Sequence, residues 1–271
     1  MDKLYFLTAG MPLITTKGYS QAFDILNQLN LDGMELEFVH GIRISDENKE
    51  IVRKSKLVKT IHAPFYINLN SKEEEKTEAS IGRIIDTARV ANDIGAINVT
   101  FHAGFYLGMD KEKVYENIKN RMKTITNILN DENIKVFLRP ETTGKATQWG
   151  DLDEIIKLSK NFEYVLPCVD FSHLHARYNG SINTYDEFCK IFEKIGKNLG
   201  ENSLNNFQAH AAGIAYSIKG EKNHLNFKDS DFNYKDLLKA FKSFDIKGTI
   251  VCESPNIETD CILLKDYYMN I

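Results

Sequence analysis

The sequence predicts a single (β/α)8 TIM barrel over residues 1–271, with a metal site at the carboxyl ends of its strands. Three observations predict it. Eight short β-like runs alternate with longer helical patterns, no linker interrupts them, and six consecutive runs end in or beside an imidazole or carboxylate. Such alternation marks βα units on a parallel sheet. Eight units in one chain of this length fit a closed barrel better than an open doubly wound sheet. No G-x-G-x-x-G turn follows the first strand, which counts against a dinucleotide-binding fold.

The predicted strands are LYFLTAG from Leu4, MELEFV from Met34, VKTIH from Val58 and INVTFH from Ile97, then KVFLRPE from Lys135, YVLPCVD from Tyr164, NNFQAH from Asn205 and GTIVCE from Gly248. Between them lie helical patterns. After Ser71, apolar residues at Ala79, Ile81, Ile84, Ile85, Ala88, Ala91 and Ile94 recur with a period near 3.6. Ser71 with Glu74 reads as a capping box and Gly95 as the stop. Asp151 with Glu154 reads as a second capping box, opening EIIKLSK.

Composition excludes several classes. With 34 Lys+Arg against 38 Asp+Glu, the net charge of -4 argues against a protein that coats itself with nucleic acid. A nuclease is still allowed, since bound divalent cations bring positive charge to the phosphate. Cys168, Cys189, Cys252 and Cys261 form no C-x-x-C pair and read as reduced, mostly buried thiols. No cationic leader with a long apolar stretch opens the chain, and no run reaches the roughly 18 apolar residues of a membrane span. A cytoplasmic protein with no membrane partner is expected.

Chemistry concentrates at the strand ends. His62 ends the third strand, His102 the fourth, Glu141 follows the fifth, Asp170 ends the sixth, His210 the seventh and Glu253 the eighth. The gaps of 40, 39, 29, 40 and 43 residues are each about one βα unit. Taken singly, a strand-end histidine is often only hydrogen-bonded, and an acid after a strand often caps a helix. In a parallel barrel, however, all carboxyl ends meet on one face. Three imidazoles and three carboxylates there suit zinc, and also manganese or iron. His173, three residues after Asp170, and His224, in GEKNH, fall on the same face; His40 and His175 are given no role.

These residues resemble the endonuclease IV family of apurinic/apyrimidinic endonucleases, within the xylose-isomerase-like barrels, from about Leu57 to Asn256. HAPFYINL from His62 resembles the family's H-x-S/P-Y-x-I-N-L, and FHAGFYLG from Phe101 its F-H-P-G. PETTGK from Pro140 resembles E-N/T-T-A-G, CVDFSHLHARYNG resembles C-x-D-T-C-H-x-x-A-A-G, and CESPN resembles L-E-T-P-N. The resemblance implies a monomeric DNA-repair hydrolase that cuts damaged double-stranded DNA 5′ to abasic sites through a trinuclear zinc site. His62, His102 and Glu141 would hold one ion. Glu141 would bridge to a second, held also by Asp170, His210 and Glu253, and His173 and His224 would hold the third. Glu141 and Glu253 are the implied catalytic residues. Phe65 and Tyr66 are candidate wedges into the base stack, and Arg43 and Lys145 candidate phosphate contacts.

The chain departs from the family at the third ion. Lys222 stands where the family's D-x-H motif has its aspartate, and a protonated lysine cannot ligate. Two zinc ions are therefore expected, with the third site weakened, empty or rebuilt through Glu221. The segment HAAGIAYSIKG replaces the family's H-L-N-D-S-K, and the loop TTGKATQWG is one residue shorter. Two other readings stay open. A sugar or sugar-phosphate isomerase or epimerase would use a single metal at Glu141, Asp170, His210 and Glu253, with the two glutamates moving protons. A non-catalytic barrel with a degraded site would account for Lys222.

Overall fold

The computed structural model describes residues 1–271. Eight parallel strands form the large sheet: β1 (Leu4–Ala9), β2 (Gly33–Glu37), β3 (Val58–His62), β4 (Asn98–Phe101), β5 (Phe137–Pro140), β6 (Cys168–Asp170), β7 (Phe207–Ala211) and β8 (Gly248–Cys252). Their order across the sheet is β5-β4-β3-β2-β1-β8-β7-β6. A bridge from Leu138 to Val165, with Leu138 N donating to Tyr164 O at 2.8 Å, joins the β5 edge to the segment leading into β6. The fold is the predicted (β/α)8 barrel, and the eight predicted runs locate its strands: β3 matches its run in full, β2 begins one residue before its run, β7 ends one residue beyond its run, and the others are trimmed. The run YVLPCVD shortens most, because Pro167 has no N–H to give the ladder.

The helices are α1 (Tyr19–Gln28), α2 (Asp46–Lys54), α3 (Glu74–Ile94), α4 (Lys111–Asp131), α5 (Leu152–Ser159), α6 (Phe171–Arg177), α7 (Tyr185–Leu199), α8 (Glu201–Leu204), α9 (Tyr234–Ser243) and α10 (Glu258–Asn270). The capping box predicted at Asp151 and Glu154 is present at the start of α5. The one predicted at Ser71 and Glu74 is not: α3 begins at Glu74 with Glu73 as its N-cap, and the Ser71 hydroxyl accepts from Glu73 N at 3.1 Å instead. Ser71 sits too far ahead of the helix to reach its third amide. Gly95 ends α3 in the left-handed region at φ 71°, as expected. The buried stripe of α3 runs through Thr77, Ser80, Ile81, Ile84, Ile85, Ala88, Ala91 and Ile94, while Ala79 faces solvent.

Contacts group the chain into two compact units. One holds Met1–Glu35, Gly144–Ala146 and Cys168–Ile271; the other holds Leu36–Thr143 and Thr147–Pro167. In the first, Phe171, Phe188, Phe192, Phe207 and Phe241 form an aromatic cluster that seats α6, α7 and α9 on β7. Phe192 lies 5.3 Å from Phe207 and 5.0 Å from Phe241, both near edge-on. Such ring pairs contribute roughly 0.5–1.5 kcal/mol each beyond their burial. In the second, a two-residue ladder pairs Gly104 with Trp149 and Phe105 with Gln148, tying the loop after β4 to the loop after β5. No helix is long and apolar enough to cross a membrane.

Asp32 anchors the amino-terminal edge. It accepts from Lys3 Nζ at 2.8 Å and from Phe6 N at 3.0 Å, and pairs with Lys265 Nζ of α10 at 3.0 Å. Burial pushes its carboxyl upward, but the two lysines and the amide outweigh it and hold the group below its ordinary value. A depressed carboxyl adds stability that is full above its unfolded pKa of about 3.9 and fades as pH falls through the folded one. Asp32→Asn is therefore expected to cost about 1–3 kcal/mol at neutral pH. Urea denaturation should show this gap closing in acid below about pH 4.

Candidate metal centre

The strands run parallel, so their carboxyl ends share one edge of the sheet, and the strand ends and the segments that directly follow them carry the candidate ligands. In the unit that contains β3 to β5, His62, His102 and Glu141 each bring a ligand atom within 4.8 Å of the others. His62 Nε2 lies 3.2 Å and His102 Nε2 3.6 Å from the same oxygen, Glu141 Oε2. His62 Nδ1 sits 2.8 Å from Ala63 O, which can only accept. The proton therefore belongs on Nδ1, and Nε2 presents its lone pair toward Glu141. Glu141 and His62 are buried, and His102 stands at the accessible side.

The sequence motifs explain how this cluster is held. Leu69 N donates to Ala103 O at 2.8 Å, and Asn70 Nδ2 donates to Phe105 O at 2.8 Å. The HAPFYINLN segment thus grips the loop that carries His102. Gly104 permits the close approach: a Cβ there would lie 2.5 Å from Asn68 Oδ1.

In the other unit, Asp170, His173 and His224 form a second group with ligand atoms within 4.8 Å. Asp170 caps α6 through Oδ1, which accepts from His173 N at 2.7 Å, while its Oδ2 lies 3.2 Å from His173 Nδ1. One carboxylate fixes both the backbone and the ring, turning His173 Nε2 toward His224 Nε2 at 3.4 Å. His224 rides on a hairpin of Gly213–Ser217 and Gly220–Leu225 that follows β7. His210 stands beside Asp170 in the β6–β7 register, with Nδ1 3.3 Å from Glu253 Oε1.

Sequence reasoning missed Glu35 in this unit. Fully buried on β2, it lies 3.1 Å from His210 Nε2 through Oε1 and accepts from Gln208 Nε2 at 3.0 Å through Oε2. Gln208 is held in turn by Thr249 Oγ1, which donates to its Oε1 at 2.8 Å. This chain puts the His210 proton on Nε2 and leaves Nδ1 facing Glu253, the carboxylate–imidazole arrangement that orients metal ligands. An acid inside the apolar run Met34–Val39 was the available signal, because a carboxylate there must find a partner.

The remaining candidates are distributed as follows. Phe65 is 55% and Tyr66 43% exposed, so neither packs under its loop. The Tyr66 hydroxyl donates to His40 O at 2.8 Å, and Arg83 lies over its ring at 4.6 Å. Arg43 is exposed on the loop after β2, and Lys145 is half-buried with its carbonyl accepting from Arg177. His175 is a structural histidine, bonded to Ser181 O and Asp231. All four cysteines are free thiols, and burial pushes Cys252, next to Glu253, up to about 12.

A family model described as xylose isomerase-like TIM barrel matches residues 23–266. The chain belongs to that family. Within this xylose isomerase-like family, it is 46% identical over 267 residues to uncharacterized protein MJ0133 of Methanocaldococcus jannaschii, covering 98% of this chain and 97% of that one. It is 26% identical over 205 residues to probable endonuclease 4 of Clostridium botulinum, 70% of this chain and 72% of the other. Among solved structures, a D-tagatose 3-epimerase-like protein superposes with a TM-score of 0.72 at 18% identity, covering 94% of each chain. That likeness shows a shared barrel fold.

The donor sets suit a divalent cation: imidazoles oriented by carbonyl or carboxylate acceptors are grouped with carboxylates, the mixed N and O ligands that zinc takes. Glu35→Ala is expected to weaken metal binding about 10–100-fold, with Glu35→Gln retaining more because its amide oxygen still accepts from His210. Competition against a chromophoric chelator measures the difference; equal affinity in all three proteins would remove Glu35 from the centre.

Proposed function

We propose that this chain is a metal-dependent phosphodiesterase of the endonuclease IV type, acting in base excision repair by hydrolysing DNA 5′ to abasic sites. The products would be a 3′-hydroxyl and a 5′-deoxyribose phosphate. The observation that carries the reading is the pair of imidazoles on one Glu141 oxygen, at 3.2 and 3.6 Å. A sugar isomerase with one ion at Glu141, Asp170, His210 and Glu253 has no use for His62 and His102, nor for the His173–His224 pair. The similarity to endonuclease 4 points the same way.

Zinc is the cation that best suits this mixture of imidazole and carboxylate, with manganese or iron as substitutes. Bound cations supply Lewis acidity, neutralising phosphate charge and acidifying water. The chain's own residues do the rest. Glu141 would act as a metal ligand with His62 and His102, while Asp170, His210 and Glu253 would be ligands in the other unit, Glu253 and Asp170 also orienting the attacking water. Phe65, the more exposed ring, enters the stack where the abasic sugar is extruded, a step that costs a few kcal/mol and is cheapest where pairing is already lost. Arg43 and Lys145 take flanking phosphates. The reaction would run in the cytoplasm on damaged duplex DNA, with the protein as a monomer.

The test quantifies metals in purified protein and then assays a duplex bearing one abasic site. Two or more ions per chain and cleavage 5′ to the lesion are expected. Glu141→Gln should lower the rate by about a hundredfold or more, the scale of one lost electrostatic stabiliser. One ion per chain with ketose epimerisation would replace this reading with the isomerase. Full metal loading with neither activity would leave a binding protein.

A further inference from the structure

In the hairpin after β7, Ile214 pairs with His224 and Ala215 with Asn223, but Tyr216 pairs with Glu221. One residue, Lys222, is left opposite nothing, and the register shifts between Ala215 and Tyr216. This is a β-bulge, and it changes which side chains share a face. Cross-strand partners point the same way, and on the regular strand Ile214 and Tyr216, two apart, do too. Glu221 and His224 therefore stand on one face although they are three residues apart, which a straight strand forbids. Lys222 is exposed.

From this geometry we propose that Glu221 supplies the carboxylate of a third cation site with His173 and His224. The inference rests on the metal-dependent reading above and chooses among the states the sequence left open for the third site. The Nε2 atoms of His173 and His224 are 3.4 Å apart. Two imidazole nitrogens about 2.0–2.1 Å from a tetrahedral zinc are separated by roughly the same distance. Glu221 Oε2 lies 3.7 Å from the same His173 Nε2.

Asp170 holds the far side of the His173 ring at 3.2 Å, fixing its tautomer for ligation. Gly144 makes room: a Cβ there would meet the Cβ and Oε2 of Glu221 at 2.6 Å, while its carbonyl accepts from Glu221 N at 3.0 Å. Three protein ligands with one open vertex is the pattern of a site that also takes water or substrate. A sequence offset that places Lys222 at the ligand position thus reads the bulge as a lost ligand; the side chain facing the imidazoles is a carboxylate one methylene longer than aspartate.

Cobalt titration of metal-free protein, followed by d–d absorbance and calorimetry, tests this. Wild type should bind three Co²⁺ per chain. Glu221→Gln should weaken the weakest of them at least about tenfold, while Lys222→Ala leaves all three unchanged. Glu221 is partly exposed, so circular dichroism of Glu221→Gln should match wild type. Three ions held equally well without the Glu221 carboxylate, or fewer than three in wild type, would overturn the proposal. Cleavage of abasic DNA is scored separately. Three ions without cleavage sinks the nuclease and keeps Glu221, whereas cleavage with no ion weakened by Glu221→Gln keeps the nuclease and sinks Glu221.

Discussion

A parallel ladder imposes a common direction on every strand it contains, and the chemistry of this protein depends on that. His62 is the last residue of β3, His102 and Glu141 directly follow β4 and β5, Asp170 ends β6, His210 is one residue from the end of β7, and Glu253 follows β8. None of these positions requires a special loop to bring it to the edge of the sheet. The hydrogen-bond register does it, as in the direct pairing of Asp170 with His210. Loops then only have to hold orientation, and they do so with short contacts such as Leu69 to Ala103 and Asn70 to Phe105.

Burial makes the groups that face each carboxylate decisive. Glu35, Glu141 and Asp170 are each at most 1% exposed. An ionised carboxylate in such a place carries a penalty of several kcal/mol unless opposite charge or donors meet it. A neutral imidazole offers a single donor, and at His62, His173 and His210 the geometry turns that donor toward a carbonyl or carboxylate and the other nitrogen inward. Lone pairs and negative oxygens are thereby gathered on the same side. A divalent cation suits such a gathering of lone pairs and carboxylate oxygens.

The fold and the strand-end position of the candidate residues were legible for one reason: strand ends recur once per βα unit, so those residues are spaced by a repeat that can be counted along the chain. Boundaries were less legible. Pro167 shortened β6, and Ser71 lay outside the helix it was expected to cap, because capping depends on where the first turn actually forms. Glu35 was invisible to a rule that searches strand ends. Its side chain leaves the face of the sheet to meet His210 from a strand three positions away, a relation set by the order and curvature of β2, β1, β8 and β7 rather than by any spacing along the chain.

Lys222 shows the deeper limit of motif reading. A D-x-H pattern encodes a face of a strand through an alternation of two, and the code holds only while the ladder is regular. One extra residue shifts the parity, so identity at the aligned position stops reporting what faces the site. The hairpin conserves the physical requirement, a carboxylate beside two imidazoles, while discarding the spacing that usually signals it. Glu221 can reach across because its longer side chain offsets the displacement of the bulged backbone, and because Gly144 leaves no Cβ in its path. Departures from a metal-binding motif are therefore best judged by strand register before they are judged by residue type.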